Sequence, residues 1–204
     1  MIIEALKLSN WLSYPTYWDS EGQKQPPCLN FDQESVYLIF GKNGAGKSSI
    51  MDAILFALFG DYSRSMDRQE IRQSSAIRTG EKTAFVELTF ALNSTRHRVF
   101  RNVAAKFSSA RYDYWDVHKE QWVVEASQVK DVNAKLSALL GMDRDLFCGT
   151  VVLEQGKTGH FMELKPKDQT EHVKNLLGLD IYSKYHEKAK ELANSRKRSA
   201  KKCE

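Results

Sequence analysis

Residues 41–48 restrict the fold of this chain more than any other segment, because they read Gly-Lys-Asn-Gly-Ala-Gly-Lys-Ser. This order matches the P-loop pattern of glycine, four residues, glycine, lysine and serine at every fixed position. An apolar run at 36–40 precedes the loop and predicts a strand, and a helical run at 49–59 follows it and ends at Gly60. The chain is therefore predicted to be an α/β protein whose loop amides surround a phosphate at a helix N-terminus.

The residues of this loop have distinct predicted roles towards a nucleoside triphosphate. Lys47 is expected to contact the β- and γ-phosphates, and the Ser48 hydroxyl is expected to bind Mg²⁺. Backbone and side-chain contacts to the phosphates are expected from Asn43, Gly44, Ala45, Gly46 and Ser49. The alternative is a glycine-rich turn with a chance lysine, which the agreement of pattern, strand and helix disfavours.

Composition excludes several classes of protein. With 42% hydrophobic and 27% charged residues among 204, the chain is typical of soluble globular proteins, and its net charge of +4 permits nucleic-acid contact without requiring it. We expect no membrane segment and no secretion, because the longest apolar run is short and the N-terminus lacks a signal-peptide pattern. Cys28, Cys148 and Cys203 form no C-x-x-C pair, which favours reduced thiols in the cytoplasm, at the nucleoid or in the nucleus.

Between the two ends of the chain, alternating apolar residues predict an antiparallel β-subdomain. Its predicted strands are 83–92, 96–103 and 111–117, with a closing run at 122–124, and two separate strands are predicted before the P-loop at 1–10 and 29–31. Residues 93–95 are predicted to form a turn, and 126–140 a helix that ends at Gly141. A short apolar strand is predicted at 150–153.

The C-terminal part of the chain is predicted to be helical and polar. Residues 166–177 predict one helix, and a basic helix is predicted from 179 onwards. In that second helix Tyr185, Ala189 and Leu192 keep a coiled-coil spacing. The pattern leaves two interpretations open, the root of a longer coiled coil that is cut short or a solvated terminal helix.

A site that hydrolyses a nucleotide needs a second carboxylate, commonly at the end of an apolar strand. The nearest candidate is Asp180, but residues 176–180 contain a glycine and lie in a helical pattern, so we discount it. The chain is therefore predicted to hold half of a hydrolytic site. A self-contained P-loop kinase or small NTPase that uses Asp180 remains a distant alternative.

The order of these motifs resembles the N-terminal lobe of an ABC-type, SMC-like ATPase head, and it is most similar to the Rad50/SbcC DNA-repair ATPases. The resemblance rests on the P-loop with Asn43 and the Ser48-Ser49 pair, and on the segments 51–54, 57–60, 77–80, 86–88 and 151–161. It implies a head lobe at 1–178 and the truncated root of a coiled-coil helix at 179–204.

The resemblance also implies further site residues. Gln155 would be the Q-loop glutamine, which binds Mg²⁺ or its water, while Arg78 and Thr79 lie in a segment that approaches the nucleotide. The ligands would be ATP and Mg²⁺. Leu12 stands where the family has arginine, which removes the basis for expecting a nucleotide contact from that side chain.

The function implied by the resemblance is an ATPase that dimerises on ATP and regulates the processing of DNA ends. Its partners would be a C-terminal lobe of the same ATPase, a second head, DNA and a nuclease bound near the coiled-coil root. The signature motif and the catalytic glutamate would lie in the C-terminal lobe, so no catalytic residue is assigned in this chain. The alternative is another SMC-like ATPase, of DNA recombination or DNA-modification defence, without a nuclease partner.

Overall fold

The computed structural model describes residues 1–31, 34, 36–61, 73–104, 107–152, 165–176 and 179–200. The chain forms two compact units, Met1–Leu139 and Leu140–Glu204. Within the described part, no helix combines the length and the apolar character that a membrane crossing requires. Cys28 and Cys148 are free thiols, and Cys203 lies outside the described residues.

The first unit is built on an antiparallel sheet. Its strands are β1 (Ile2–Ser9), β4 (Cys28–Asn30), β5 (Thr83–Leu92), β6 (Thr95–Ala104), β7 (Ser108–Asp116) and β8 (Gln121–Ala126). They pair in the order β4-β1-β5-β6-β7-β8, and every neighbouring pair is antiparallel. A separate hairpin joins β2 (Tyr17–Trp18) to β3 (Lys24–Gln25). The predicted meander is confirmed.

Alternation and turn chemistry explain why the meander forms. In β5, Val86, Leu88 and Phe90 are fully buried and alternate with half-buried residues, as a sheet with one core face requires. Asn93 and Ser94 join β5 to β6 with φ values of 51° and 62°. Two consecutive left-handed residues match the twist of a two-residue hairpin, so the turn fixes the register of the two longest strands.

The helices of the first unit are α1 (Lys47–Phe59) and α2 (Val129–Leu140), with a 3₁₀ turn at Gln73–Ala76. Helix α1 packs on β5 and β6. Its central residues, Ile50 and Asp52 to Leu58, are buried, so the helix that follows the phosphate loop forms part of the core. The second unit contains α3 (Arg144–Thr150), α4 (Pro166–Leu176) and α5 (Asp180–Ala200).

The strand predicted at 36–40 is wrong. The structure assigns no strand there, and the side chains of Val36, Leu38 and Phe40 are 84%, 85% and 86% exposed. Apolar, β-branched residues favour a strand only when a neighbouring strand offers hydrogen-bond partners. The described residues of this chain provide no such neighbour for 36–40.

The strand predicted at 150–153 is also wrong in its described part. Thr150 is the last residue of α3, and its hydroxyl donates to the Leu146 carbonyl at 2.6 Å. The helix begins at Asp143, whose carboxylate accepts from the Leu146 amide at 2.8 Å. This N-cap starts a helix where apolar content alone suggested a strand. Leu153 lies outside the described residues.

Candidate nucleotide-binding site

The phosphate loop turns into α1 through glycines in the left-handed region. Gly44 has φ 80°, and Gly46, the N-cap of α1, has φ 94° and ψ 8°. These conformations are accessible to glycine at little steric cost. No side chain caps the helix, and no acidic residue lies in its first turn. The Ser49 amide already donates to the Gly46 carbonyl at 3.0 Å, whereas the amides at the very start of the helix have no intrahelical acceptor. The positive end of the helix dipole favours an anion at that position.

Lys47 lies over this loop. Its Nζ donates to the carbonyls of Gly41 and Lys42 at 2.8 Å and 2.9 Å. The neighbouring Ser48 is exposed in the first turn of α1. The lysine ammonium and the serine hydroxyl are therefore both accessible where the sequence predicted phosphate and Mg²⁺ contacts. Their ligand contacts stay predictions.

The other predicted loop residues differ in exposure. Asn43, Gly44 and Ala45 are exposed, whereas Gly46 is buried and Ser49 is only 8% exposed. Asn43 and Gly44 are therefore accessible to a phosphate, whereas the Ala45 amide already donates to the Lys42 carbonyl at 3.2 Å. The Ser49 amide donates to the Gly46 carbonyl at 3.0 Å, so a phosphate contact through that amide requires this hydrogen bond to be shared or broken. All five remain predicted phosphate contacts.

Residues 10–14 lie directly behind the loop, which sequence reasoning did not foresee. A Cβ built on Gly46 would come within 3.0 Å of the Tyr14 ring and 3.1 Å of the Ser13 Cβ. The Tyr14 hydroxyl donates to the Gly46 carbonyl at 3.3 Å, and Trp11 Nε1 donates to the Ser49 carbonyl at 3.1 Å. Gly46 is therefore required for close packing as well as for its backbone conformation.

Arg78 is held by the same 10–14 segment. Its amide donates to the Asn10 carbonyl at 2.8 Å, and its Nη1 donates to the Ser13 carbonyl at 3.1 Å. Thr79 follows in an exposed turn, and both residues line an open groove of about 680 Å³. The structure thus connects Arg78 to the phosphate loop through Ser13. Nucleotide contacts from Arg78 and Thr79 stay predictions.

Gln155 lies outside the described residues, so its predicted part in binding Mg²⁺ remains a prediction. The same holds for most of the predicted Q-loop at 151–161, of which only Val151 and Val152 are described. Asp180, the discounted carboxylate, is the first residue of α5 and does not end a strand. Its position gives no support to a self-contained hydrolytic site.

Comparison with known proteins decides the family. The profile of a family described as an AAA domain matches residues 5–204. This chain belongs to that family.

Relatives of the AAA domain include DNA-repair ATPases. This chain is 29% identical over 192 residues to a DNA double-strand break repair Rad50 ATPase of Methanocaldococcus jannaschii, and the match covers 94% of this chain and 17% of the relative. It is 33% identical over 174 residues to a component of the nuclease SbcCD of Bacillus subtilis, covering 79% and 15%. A Rad50 ATPase of Sulfolobus acidocaldarius is 31% identical over 181 residues, with 88% and 18% covered.

The AAA domain therefore spans less than a fifth of the length of these relatives. The match confirms the resemblance to the N-terminal lobe of an SMC-like ATPase head and the α/β P-loop NTPase fold. Among solved structures, a recombination mediator protein RecF-ATP aligns with a TM-score of 0.43 at 15% identity, over 63% of this chain and 29% of that one. That likeness is too low to support a conclusion.

A buried arginine, Arg101, binds the C-terminal end of α1, a role that was not predicted from the sequence. Arg101, on β6, donates from Nε to the Ala57 carbonyl at 2.7 Å and from Nη2 to Asn133 Oδ1 at 2.8 Å. Burial lowers the pKa of Arg101 to about 10, so the guanidinium stays charged at neutral pH. The sequence did contain one sign of this role, because Arg101 alternates with the apolar Val99 and Val103 and therefore shares their core-facing side of β6.

Proposed function

We propose that this chain is the ATP-binding half of an SMC-like DNA-repair ATPase whose hydrolytic site is completed by a second lobe. The observation that carries the proposal is a P-loop whose helix N-terminus has no side-chain cap and whose lysine lies over the loop. Beside it, the apolar segment 36–40 has no strand neighbour among the described residues. The kinship with Rad50 and SbcC relatives supports the DNA-repair assignment. In the completed site, water would attack the γ-phosphate as its bond to ADP breaks, with the charge stabilised by Lys47 and by Mg²⁺ when that ion is bound.

The exposed segment supports a second lobe because its exposure alternates. Val36, Leu38 and Phe40 are more than 80% exposed, whereas Tyr37 and Ile39 are 39% and 43% exposed. The half-covered side is fixed by an edge-to-face contact of Tyr37 with Phe31, whose ring centroids lie 5.0 Å apart. Such alternation is typical of an extended segment that covers one face and leaves an apolar face exposed, where another part of a protein can pack. A strand from the C-terminal lobe would cover it and bring the missing carboxylate to the P-loop.

The Mg²⁺ ion would be held by Ser48 and Gln155 together with phosphate oxygens and water. The exposed Ser48 hydroxyl, in a helix turn without acidic side chains, fits one position of an octahedral shell that keeps several waters. When bound, the ion neutralises charge that develops on the transferred phosphate.

The terminal helix supports a coiled-coil root. In α5 the side chains of Tyr182, Tyr185 and Leu192 are 66%, 61% and 58% exposed. Their spacing of three and seven residues places them on one stripe of the helix. A returning helix of the same protein would bury this stripe. A partner nuclease near that root and a second head that shares ATP complete the proposed assembly, which acts on DNA ends.

The decisive experiment measures ATP turnover by residues 1–204 alone and after addition of the C-terminal lobe of the same protein, with and without DNA. We expect ATP binding but near-background turnover by the chain alone, and turnover at least about tenfold higher with the second lobe. Lys47→Ala is expected to abolish that gain. Multiple turnovers by the isolated chain, abolished by Lys47→Ala, would overturn the proposal and favour a self-contained NTPase.

A further inference from the structure

We propose that Tyr14 is a positioning residue that aims the Lys47 amide of the phosphate loop, an inference that rests on the proposed nucleotide-binding function. The Tyr14 hydroxyl donates to the Gly46 carbonyl at 3.3 Å. That carbonyl and the Lys47 N–H belong to one planar, trans peptide, in which they point in opposite directions. A side chain that holds the carbonyl from behind therefore directs the amide into the space where a phosphate binds.

Gly46 is the point at which this restraint matters. Its φ of 94° turns the loop into α1, and its carbonyl also accepts the Ser49 amide at 3.0 Å. Glycine has the widest choice of backbone conformations, so its peptide planes need an outside contact to stay in one orientation. The Tyr14 ring, 3.0 Å from the position of a Cβ on Gly46, and its hydroxyl provide that contact on one side of the residue.

Tyr14 is able to act as a brace because its own segment is anchored to α1. Trp11 is fully buried, its ring centroid lies 4.9 Å from that of Phe56, and its Nε1 donates to the Ser49 carbonyl at 3.1 Å. The Tyr14 amide donates to the Trp11 carbonyl at 2.8 Å. The segment that carries Tyr14 is therefore attached to the helix that it supports.

The same segment is held from its other side. Asn10 and Leu12 adopt φ values of 49° and 48°, which are uncommon for residues with a side chain. The Leu12 amide donates to the Ala76 carbonyl at 2.8 Å, and Trp11 forms a β-bridge with Ile77. Backbone strain of this kind persists where surrounding contacts fix the conformation, and it is commonly found beside functional sites.

The test compares Tyr14→Phe with wild type in calorimetric titrations of ATP and of inorganic tripolyphosphate. Phenylalanine keeps the ring against Gly46 and removes the hydroxyl alone. We expect the Kd for both ligands to rise by the same factor, about fivefold, as for the loss of one hydrogen bond. The matched control is Tyr182→Phe, which removes an exposed hydroxyl from α5 and is expected to change neither Kd.

If Tyr14 only stabilises the fold, a different result is expected for Tyr14→Phe. It would lower the midpoint of thermal unfolding and leave the Kd of the folded protein unchanged, and that result would overturn the inference. A loss for ATP without a loss for tripolyphosphate would also overturn it, because Tyr14 would then act on the base or ribose. If wild type binds neither ligand, the proposed function fails and this inference fails with it. If wild type binds and Tyr14→Phe binds equally well, the inference alone fails.

Discussion

At the scale of single residues, Gly46 combines two separate requirements, a left-handed backbone and the absence of a Cβ. We expect Gly46→Ala to raise the Kd for ATP more than about tenfold, because the new methyl group displaces Tyr14 and Ser13 from the loop in addition to straining the backbone. Titration calorimetry measures this loss.

A matched control separates the two effects of that substitution. Gly141 has φ 65°, and a Cβ there would meet nothing within 4 Å. Gly141→Ala therefore introduces a similar backbone strain without a clash, and it is expected to lower stability by about 1 kcal/mol while leaving ATP affinity unchanged. Equal losses of ATP affinity in both variants would contradict the role assigned to close packing at Gly46.

His97 shows how a buried ring is accommodated in the meander. It is 5% exposed, with Nδ1 2.7 Å from the Tyr112 hydroxyl and Nε2 3.3 Å from the Leu92 carbonyl. Because a carbonyl only accepts, Nε2 carries the proton and Nδ1 accepts from Tyr112. Both ring nitrogens are thus satisfied in the neutral form. Burial lowers the pKa of His97 below its usual 6.5.

This pKa shift predicts a loss of stability in mild acid. Below pH 6.5 the unfolded chain binds a proton at His97 while the folded chain does not, so the free energy of unfolding falls until the pH passes the lower folded pKa. The slope from one proton is at most about 1.4 kcal/mol per pH unit. Urea unfolding between pH 7 and 5 measures it. His97→Gln should flatten the curve.

Sequence reasoning at this scale predicts residues whose chemistry fixes their type. A P-loop needs a lysine and a serine at set spacing, so Lys47 and Ser48 were predictable from the pattern alone. Tyr14 and Trp11 were not, because their partners Gly46 and Ser49 are distant in sequence and meet them only in the fold. The residues next to an aromatic side chain in a loop do not indicate which distant carbonyl will accept its hydrogen bond.

At the scale of elements, Arg101 ties the sheet to the C-terminal end of α1. Arg101→Met leaves the carbonyls of Ala57 and Leu58 without this donor and removes a cation from the negative end of the helix dipole. We expect the free energy of unfolding to fall by about 2–4 kcal/mol, as measured by denaturant titration. Arg96→Met, which removes a half-exposed ion pair with Glu4, is expected to cost less than about 1 kcal/mol. Equal costs would contradict the role of Arg101.

The elements that the sequence predicted well are those whose signal is local. The alternation of β5 and the Asn93-Ser94 turn are contained in consecutive residues, and they were found. Helix α3 depends on Asp143 as an N-cap, a single polar residue that the apolar run after it obscured. The segment 36–40 has the composition of a strand, but a strand also needs a neighbour, and composition cannot provide one.

At the scale of the whole molecule, the exposed face of 36–40 is where the proposed second lobe would dock. Leu38 is 85% exposed, so Leu38→Asp is expected to leave the thermal midpoint of the isolated chain unchanged. In the assembled head the same carboxylate would be buried without a partner, and we expect association with the C-terminal lobe to weaken more than about tenfold.

Co-elution of the two lobes and their ATP turnover measure this association. Val117→Asp, at a 70% exposed valine in the turn after β7, is the matched control and should assemble as wild type does. If Leu38→Asp also assembles normally, the docking surface lies elsewhere.

The order of strands in the sheet has a consequence for the path by which this protein folds. Strands β5 to β8 each pair with the next strand in sequence, so they need only short loops to close. Pairing of β1 with β5, by contrast, joins Ile2 to Ala91 and encloses the whole phosphate loop within the connection. We therefore expect the meander to form early and the nucleotide pocket to close late, so that bound ATP slows unfolding and leaves the rate of folding almost unchanged.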